Sequence, residues 1–558
     1  MKSITTIIVR FRILFLTLLV MVASCTKLED ESYTDLFTDE FKPSEDDIRV
    51  IINGAYGDWR KILLLWNGLW RTQEIGADQI VIPKRPNGWV DAGEFRRMHE
   101  HSWVDTDPQT INNWSRTYTG IENCNRVIDE LEASKYEIDD DLKIFAIAQL
   151  KVLRASYYYV LCDMYGNVPI VEHSADYLPE GFLPTQSTRK QVYDFIVKEI
   201  TDNLPYLSRE RNVKTYGKWN IWAARTLLAK VYLNAEVFTS VVNADLTITP
   251  GTPEWTKCIE QCDSVINNNV GYGLEADQKS VFVTENENSK EILYAIPISA
   301  TYMTDWNTFD IHMQTLQPEN QATYNISFSP WGGMCAIPQF INTFDSADSR
   351  LTKNFIVGQQ YSSSGEPLTC TMGTYSGKPL AFINEVPGVD ESQEVHGYRF
   401  VKFEIAMDCI NILENDYPLF RFADILMMKA ECLLRTGNAD AAAAIVTQIR
   451  QRAFKSAPAK ATVTGAQLME GSSYDYGLRN HLTSTTEGGA DIQYGRFLDE
   501  LGWEFNQEGR RRQDMIRFGI FTKKSFLSHS PNGDYRSLYP IPRDEISKNS
   551  NLKQNPGY

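Results

Sequence analysis

The feature that most constrains the fold of this chain is a run of apolar residues with helical spacing. In the segment FAIAQLKVLRASYYYVLCDMYGNVPIV, residues 145–171, apolar side chains recur at steps of three and four residues. They are Ala146, Leu150, Leu153, Tyr157, Leu161 and Tyr165. That spacing places them on one face of an α-helix. Gly166 supplies a helix stop and Pro169 bars any continuation, so the segment predicts one long amphipathic helix.

A second segment, GKWNIWAARTLLAKVYLNAEVF, repeats the pattern with a face rich in small side chains. This face consists of Ile221, Ala224, Leu228, Val231 and Ala235. Further helices are predicted near residues 45–65, 108–132, 188–204, 255–268, 419–436, 438–453 and 494–508. We therefore expect a mainly α-helical protein.

The clearest structural unit of the sequence lies at residues 419–453. RFADILMMKAECLLRTG is followed by NADAAAAIVTQIRQRA, and Gly437-Asn438 makes the turn between two amphipathic helices. Ala430, Gly437 and Ala441 stand at positions that resemble a tetratricopeptide unit. Such units stack because one helix pair cannot bury its apolar face alone. The regular period of about 34 residues is not visible elsewhere, so any array is degenerate and interrupted by insertions.

The middle of the chain has a different character from the helical segments. Residues 271–415 are rich in Gly, Ser, Thr, Asn and Pro, with short β-like pieces such as EILYAIPI, and residues 455–492 are also loop-like. We expect an N-terminal helical region, 44–270, packed as one body with a C-terminal region, 271–558. The predicted fold class is mainly α: tetratricopeptide-like helix pairs form a scaffold, and a loop-rich irregular half contains minor β-strands.

The N-terminus carries the pattern of a secretory signal. Lys2, Arg10 and Arg12 precede an apolar run from Ile13 to Val22, which is too short for the roughly 20 residues of a membrane-spanning helix. Val22-Ala23-Ser24-Cys25 resembles the lipobox of bacterial lipoproteins, in which the signal is cut before the lipid-bearing cysteine. We expect a signal at 1–24, lipid on Cys25 and a tether at 25–43. The alternative is an ordinary signal with an incidental cysteine.

Charge and cysteine usage narrow the possible functions. The formal net charge is −17, which argues against a nucleic-acid binder, because such proteins need positive surface to displace counterions from phosphate. Eight cysteines besides Cys25 are too sparse for a disulfide scaffold. Cys162, Cys409 and Cys432 sit among apolar neighbours and are expected to be buried. Cys258 and Cys262 in CIEQC are spaced to hold a metal on one helical face, but no further ligand lies nearby in sequence, and we predict no metal site and no cofactor.

An ordered set of motifs resembles one known family. With the lipobox, the motifs are LRASYYYVLCDMYGNVPIV, GKWNIWAARTLLAKVYLNAE, DYPLFRFADILMMKAECLLRTGN, EGRRRQDMIRFG and the closing LYPIPRDEISKNSNLKQNPGY. Together they resemble the SusD/RagB family of Bacteroidetes outer-membrane lipoproteins over the whole chain and in the family's order. One motif alone is weak; the ordered set is specific.

The resemblance implies a function that composition does not. Family members lie on the extracellular side of the outer membrane, anchored by lipid, over a SusC-like TonB-dependent transporter. They capture glycans, or in some cases peptides, for import, and they are not catalytic. Glu29, Asp30 and Glu31, just after Cys25, are similar to the surface-export signal of such lipoproteins. The expected partners are therefore this transporter, a glycan and, through Cys25, the membrane.

Two loops carry the residue types that hold a sugar, namely aromatic faces for its C–H groups and planar polar side chains for its hydroxyls. In GADQIVIPKRPNGWVDAGEF the prolines and glycines make a buried regular element improbable, so Trp89 has no obvious core to fill. The second loop runs from Tyr302 to Trp331. The candidate glycan-binding residues are Asp78, Arg85, Asn87, Trp89, Asp91, Tyr302, Trp306, Asn307, Tyr324, Asn325 and Trp331. Trp66 and Trp70 are predicted to be core residues of a helix face.

Enzyme motifs are not evident. His99 and His101 in MHEHSW suit one face of a strand, but the sequence has no HExxH, GxSxG, Walker loop or GxGxxG. A glycosidase carboxylate pair is not excluded by listing acids, so a surface glycoside hydrolase stays as an alternative to binding, beside a peptide-capturing member of the same family.

The arginines of EGRRRQDMIRFG, Arg510, Arg511 and Arg512, are expected to pair with Glu504, Glu508 and Asp514.

Overall fold

The computed structural model describes residues 45–136, 138–303, 305 and 308–558. The predicted signal, Cys25, the acids that follow it and the candidates Trp306 and Asn307 lie outside these residues. In the part of the chain that the structure describes, no helix combines the length and the apolar character needed to cross a membrane.

Helices dominate the described chain, as the sequence predicts. They are α1 Glu45–Leu63, α2 Leu69–Glu74, α3 Glu94–His99, α4 Pro108–Glu132, α5 Asp140–Met164, α6 Arg189–Asn203, α7 Ile221–Leu233, α8 Ala235–Phe238, α9 Trp255–Ile266, α10 Ile311–Thr315, α11 Gln321–Tyr324, α12 Pro338–Ile341, α13 Ser349–Asn354, α14 Phe422–Arg435, α15 Ala439–Gln451, α16 Gly465–Leu468, α17 Gly495–Phe505, α18 Arg511–Arg517 and α19 Arg543–Lys548. Every predicted helix is present within a few residues of its expected bounds.

The long helices pack as neighbours and form the scaffold. Helix α4 lies against α1 and α5, α5 lies against α6, and α9 lies against both α7 and α14. The pair α14–α15 is the predicted tetratricopeptide-like unit. Gly437 turns the chain between these two helices with a φ of 84°, a left-handed conformation that favours glycine.

The strands are short and occur only in two-stranded antiparallel pairs within the described residues. They are β1 Ile80–Val81, β2 Val168–Pro169, β3 Gln186–Ser187, β4 Val241–Val242, β5 Ile248–Thr249, β6 Ile292–Ile296, β7 Cys335–Ala336, β8 Phe355–Ile356, β9 Gly358–Gln359, β10 Ala381–Phe382, β11 Arg399–Phe400 and β12 Tyr417–Arg421. The pairs are β1–β7, β2–β3, β4–β5, β6–β12, β8–β11 and β9–β10. The mainly helical fold with minor strands is therefore confirmed.

One predicted helix boundary is wrong for a tertiary reason. Residues 419–421 belong to β12, which pairs with β6, the strand formed by EILYAIPI. Helix α14 therefore begins at Phe422. Arg421 keeps extended backbone angles, and its N–H donates to the carboxylate of Asp424 at 2.9 Å, which satisfies one free donor at the helix start.

A network of buried ion pairs joins β12, α15 and α17. Arg421 is fully buried and contacts the carboxylates of Glu291, Glu504 and Glu508 at 2.7–2.8 Å. Arg452 contacts Glu291 and Glu504 at 2.6 Å. The surrounding cations hold the pKa of Glu504 and of Glu508 below the ordinary value in spite of their burial.

The arginine run is buried as well, with partners that differ in part from the predicted ones. Arg510 pairs with Asp514, as expected, at 3.2 Å. Arg511 instead pairs with Asp78 at 2.7 Å, and Arg512 with Asp163 at 2.7 Å. Glu504 and Glu508, which were predicted as partners of the arginine run, pair with Arg421 instead. This pairing depends on the fold and cannot be read from the order of residues in the sequence.

The cysteines and histidines singled out in the sequence lie mostly in the core. Cys258 and Cys262 are buried with their sulfur atoms 4.0 Å apart, and Cys409 is only partly buried, contrary to expectation. His99 and His101 are buried against His529, with ring centroids 6.2 and 4.2 Å from it. The described residues contain no group of three side chains arranged to hold a metal ion.

Candidate functional site

The two candidate loops are brought together by the pairing of β1 with β7. Ile80 lies opposite Ala336 and Val81 opposite Cys335, so the chain that leaves β1 runs beside the chain that enters β7. The first of these segments carries Trp89 and the second carries Trp331. The two-residue pairing of β1 with β7 thus brings together two loops that are about 250 positions apart in the sequence.

Hydrogen bonds then fix the first loop against the second. The guanidinium of Arg85 donates to the carbonyls of Gly333 at 3.0 Å and His396 at 2.9 Å. The side-chain amide of Asn87 donates to the carbonyl of Trp331. The ring of Trp89 lies directly on Gly333, where a Cβ would stand 2.3 Å from a ring carbon, so only glycine fits there without displacement of the ring.

Three half-buried tryptophans meet at this place. The ring centroids of Trp89 and Trp331 are 5.5 Å apart, and Trp66 lies 6.0 Å from Trp89 and 5.7 Å from Trp331. Their planes are inclined to one another by 49–81°, so the three rings are not stacked on one another. Phe95 supports Trp89 from the core side at 5.0 Å.

These rings form an open cleft of about 370 Å³, which we call the tryptophan cleft. It is lined by Trp66, Asn87, Trp89, Asp91, Pro318, Pro330 and Trp331. Aromatic faces offer apolar contact area, and the amide and carboxylate offer hydrogen bonds. This combination suits a ligand that has both C–H faces and hydroxyl groups.

Trp66 lines the tryptophan cleft, whereas the sequence pattern predicted a core residue of a helix face. It lies in the turn between α1 and α2, and it is only partly buried. The guanidinium of Arg71 lies 4.6 Å from its ring centroid, and Asp310 holds that guanidinium at 2.6 Å. The Asn67-Gly68 dipeptide could have indicated that Trp66 lies outside a helix, because Asn-Gly marks a turn directly after Trp66. Trp70 is buried, as predicted.

Asp78 and Arg85, which were predicted to bind glycan, are instead buried in structural contacts. Asp78 is fully buried; it pairs with Arg511 and accepts a hydrogen bond from the hydroxyl of Tyr476 at 2.7 Å. Arg85 is 3% exposed, and its donors are used by the loop carbonyls described above. Neither side chain is free to contact a ligand, and both hold the loops in place.

Only part of the second loop lies at the tryptophan cleft. Trp331 reaches the tryptophan cleft, whereas Tyr302, Tyr324 and Asn325 do not line it. Tyr302 is 87% exposed. Asn325 is exposed, donates to the carboxylate of Asp408 at 3.2 Å and accepts from the hydroxyl of Ser363 at 2.9 Å. These three residues remain predictions of a wider binding face.

The rim of the cleft beside Trp89 has an unusual backbone and unusual electrostatics. Asp91, Ala92 and Gly93 all have positive φ, at 42°, 49° and 78°, before α3 begins at Glu94. Non-glycine residues rarely adopt this conformation, and strained backbone concentrates at functional sites. Burial raises the pKa of Asp91 above its ordinary value. Burial, with the nearby carboxylate of Asp91, raises the pKa of Glu94 to about 8.

Family comparisons agree with the fold and the motifs. The family model described as "SusD family" matches residues 290–558, and the one described as "Starch-binding associating with outer membrane" matches residues 33–233. The two models together span most of the chain. This chain belongs to the SusD/RagB family.

Individual relatives are distant in sequence but alike over nearly their whole length. The chain is 22% identical to the starch-binding protein SusD of Bacteroides thetaiotaomicron over 516 residues, 84% of this chain and 82% of that protein. It is 22% identical to SusD-like protein P2 of Formosa agariphila, over 98% of this chain and 100% of that protein.

Solved structures show the same fold. A SusD-like protein from Bacteroides fragilis has a TM-score of 0.68 at 18% identity, over 92% of this chain and 97% of that one. Surface glycan-binding protein A from Bacteroides thetaiotaomicron, in complex with laminarihexaose, has a TM-score of 0.66 at 16% identity, over 92% of this chain and 99% of that one.

Proposed function

We propose that this protein is a cell-surface lipoprotein that captures extracellular oligo- or polysaccharide and delivers it to a SusC-like TonB-dependent transporter. The observation that carries the proposal is the tryptophan cleft, where three half-buried indoles and two planar polar side chains share one open surface. Stacking on indole faces tolerates many sugars, and polar groups at the rim select among them.

The ligand is proposed to be a glycan because family relatives are named for such ligands. The curated relative from Bacteroides thetaiotaomicron is named a starch-binding protein, and one solved neighbour is titled a laminarin-binding SusD-like protein. The cleft supports binding without catalysis. Among the described residues that line it, only Asp91 is a carboxylic acid, whereas glycoside hydrolysis ordinarily uses two facing carboxyl groups.

The location belongs to the same proposal. Association with the outer membrane is part of the description of the family model that matches residues 33–233. The lipobox-like sequence would place lipid on Cys25, and the acids after it would direct the protein to the extracellular face. Cys25→Ala should abolish labelling by a radioactive or clickable fatty acid, and persistent labelling of that variant would refute the anchor.

Polysaccharide affinity electrophoresis tests the binding. The full chain should migrate more slowly in native gels that contain a ligand polysaccharide, and no new reducing ends should appear after long incubation. Release of reducing sugar by pure protein would establish a hydrolase instead. Retention on peptides with no retardation by any polysaccharide would establish the peptide-capturing alternative.

The partnership with a transporter needs its own test. A tagged copy of the full chain, solubilised in mild detergent from its native outer membrane, should copurify with a TonB-dependent transporter in near-equal amount. Purification of the chain without any such transporter, under conditions that preserve other outer-membrane complexes, would contradict the proposed partnership.

A further inference from the structure

The tryptophan cleft has a charge pattern that bears on which glycans it accepts. Of the seven described residues that line it, Asp91 alone carries an ionisable side chain, and that side chain is acidic. The remaining polar contact is the neutral amide of Asn87. The cleft therefore presents negative or neutral groups, and no lining side chain offers a positive charge to a ligand.

Two arginines close to the cleft, Arg71 and Arg97, pair with carboxylates of the protein, and a third, Arg116, donates to the backbone carbonyl of Trp66 at 2.8 Å. The guanidinium of Arg71 lies under the ring of Trp66, is 2% exposed, and contacts Asp310 at 2.6 Å and Gln314 at 3.3 Å. Arg97 in α3 is held by the carboxylate of Asp107 at 2.5 Å. Neither is left to pair with a carboxylate or sulfate on a bound sugar, which ordinarily requires a charge-assisted hydrogen bond from arginine or lysine.

The aromatic surface, like the carboxylate of Asp91, disfavours anionic ligands. The face of an indole ring carries negative charge density and its edge carries positive density. C–H groups of an uncharged sugar are attracted to such a face, and anionic substituents are repelled from it. Three indoles that border one cleft, with a carboxylate at the rim, therefore disfavour a negatively charged chain.

The backbone holds Asp91 in this position. Asp91 and Ala92 both have left-handed angles, so the chain turns sharply between Trp89 and α3 and keeps the side chain of Asp91 at the cleft. The charge of Arg71 and a hydrogen bond with Trp89 act on the carboxylate of Asp91, but no salt bridge of the described residues includes it. A carboxylate is a good acceptor for the hydroxyl groups of a neutral sugar.

We propose that the tryptophan cleft selects uncharged glycans over glycans that bear uronate or sulfate groups, and that Asp91 is the residue that sets this selectivity. The inference rests on the proposed function, since it names the class of glycan that the same site takes. It adds a role for one side chain that family membership does not assign.

The test compares one polysaccharide in two charge states. Dissociation constants of the full chain are measured at low salt for a neutral glucan that it binds and for the same glucan after carboxymethylation. Wild type should bind the carboxymethylated form at least tenfold more weakly, and added salt should reduce that ratio because it screens charge. Equal or tighter binding of the carboxymethylated form would overturn the proposal.

Variants assign the effect to the residue. Asp91→Asn keeps the size of the side chain and tolerates left-handed angles; it should bring the ratio to within about threefold. Asp91→Lys should reverse the preference. Asp202→Asn removes the same charge from the exposed face of α6 and should leave the ratio unchanged. An undiminished ratio in Asp91→Asn would overturn the role of Asp91, while failure to bind any polysaccharide, neutral or charged, would overturn the proposed function itself.

Discussion

The protein uses charged side chains in opposite ways in its scaffold and at its tryptophan cleft. In the scaffold, Arg421 has no exposed surface and lies among Glu291, Glu504 and Glu508. At the cleft, the lining contains a single carboxylate, and the contact area comes from indole rings. The comparison indicates that buried charge positions the helices, whereas the cleft, where we propose that ligand binds, presents mainly aromatic surface.

This difference has an energetic consequence. A charge taken out of water is stable only when its partners are fixed around it, and loss of one partner leaves the others buried and uncompensated. An aromatic ring at an open surface has no such dependence, and its removal changes binding more than folding. Substitutions in the two regions should therefore separate stability from binding.

The largest effect is expected at Arg421. Arg421→Met removes the cation that contacts all three buried carboxylates and leaves them less fully compensated by the remaining cations, among them Arg452 and Lys402, so it should lower the free energy of unfolding by about 3–5 kcal/mol. Urea denaturation followed by circular dichroism measures this loss. The matched control is Arg96→Ala, which removes a half-exposed arginine from pairs with Glu100 and Asp390 and should change stability by less than about 1 kcal/mol. Similar losses for both variants would contradict the contrast between the regions.

A smaller and local effect is expected at Gly333. Gly333→Ala places a Cβ 2.3 Å from a carbon of the Trp89 ring, so the ring must move out of the cleft. Glycan affinity should fall about tenfold, equivalent to about 1.4 kcal/mol, while the helical circular dichroism is retained. Gly54→Ala in α1 meets no atom within 4 Å and serves as the control. Unchanged affinity in Gly333→Ala would mean that the position of Trp89 does not matter for binding.

A dependence of stability on pH is also expected, and it belongs to the scaffold. Burial lowers the pKa of His99 and of His101 to about 3. Since the unfolded chain binds these protons near pH 6.5, stability is complete above that pH and falls as pH decreases from 6.5 toward 3. Glu74 and Glu94, with pKa raised to about 7 and about 8, act in the opposite sense and add stability as pH falls from 8 toward 4.5.

The contribution of one histidine is isolated by comparing slopes. His99→Leu removes one group that must stay neutral in the core, so its free energy of unfolding should decrease less steeply below pH 6.5, by up to about 1.4 kcal/mol per pH unit. Denaturant titrations at half-unit steps from pH 7 to 4.5 give both slopes. If the free energy of unfolding changes with pH in the same way in wild type and variant, His99 does not contribute to the pH dependence of stability.

The helical half of the fold could be predicted closely from the sequence, because the helix signal is local. Residues 108–132 were predicted as a helix and form α4 with those bounds. The spacing of apolar residues and the turn at Gly437-Asn438 are read within a few residues. The displaced boundary at 419–421 depends on pairing with a strand more than 120 residues away.

The cleft could be predicted only in part, because its assembly is not local. Asp78 looked like a loop residue available to ligand, yet its partner Arg511 stands 433 positions later in the chain. Residue type and nearby prolines do not distinguish an exposed acid from one that is paired in the fold. Trp66 was missed for the related reason that a helical pattern on its N-terminal side suggested burial.

The central claim is that the tryptophan cleft binds glycan, and one measurement tests it most directly. Isothermal titration of the full chain and of the double variant Trp89→Ala/Trp331→Ala is made with a polysaccharide that retards wild type in native gels. The double variant should lose at least 100-fold in affinity and keep its helical circular dichroism, while Tyr206→Ala, which changes an exposed aromatic of the scaffold, should bind like wild type. A correctly folded double variant that binds with wild-type affinity would contradict the account.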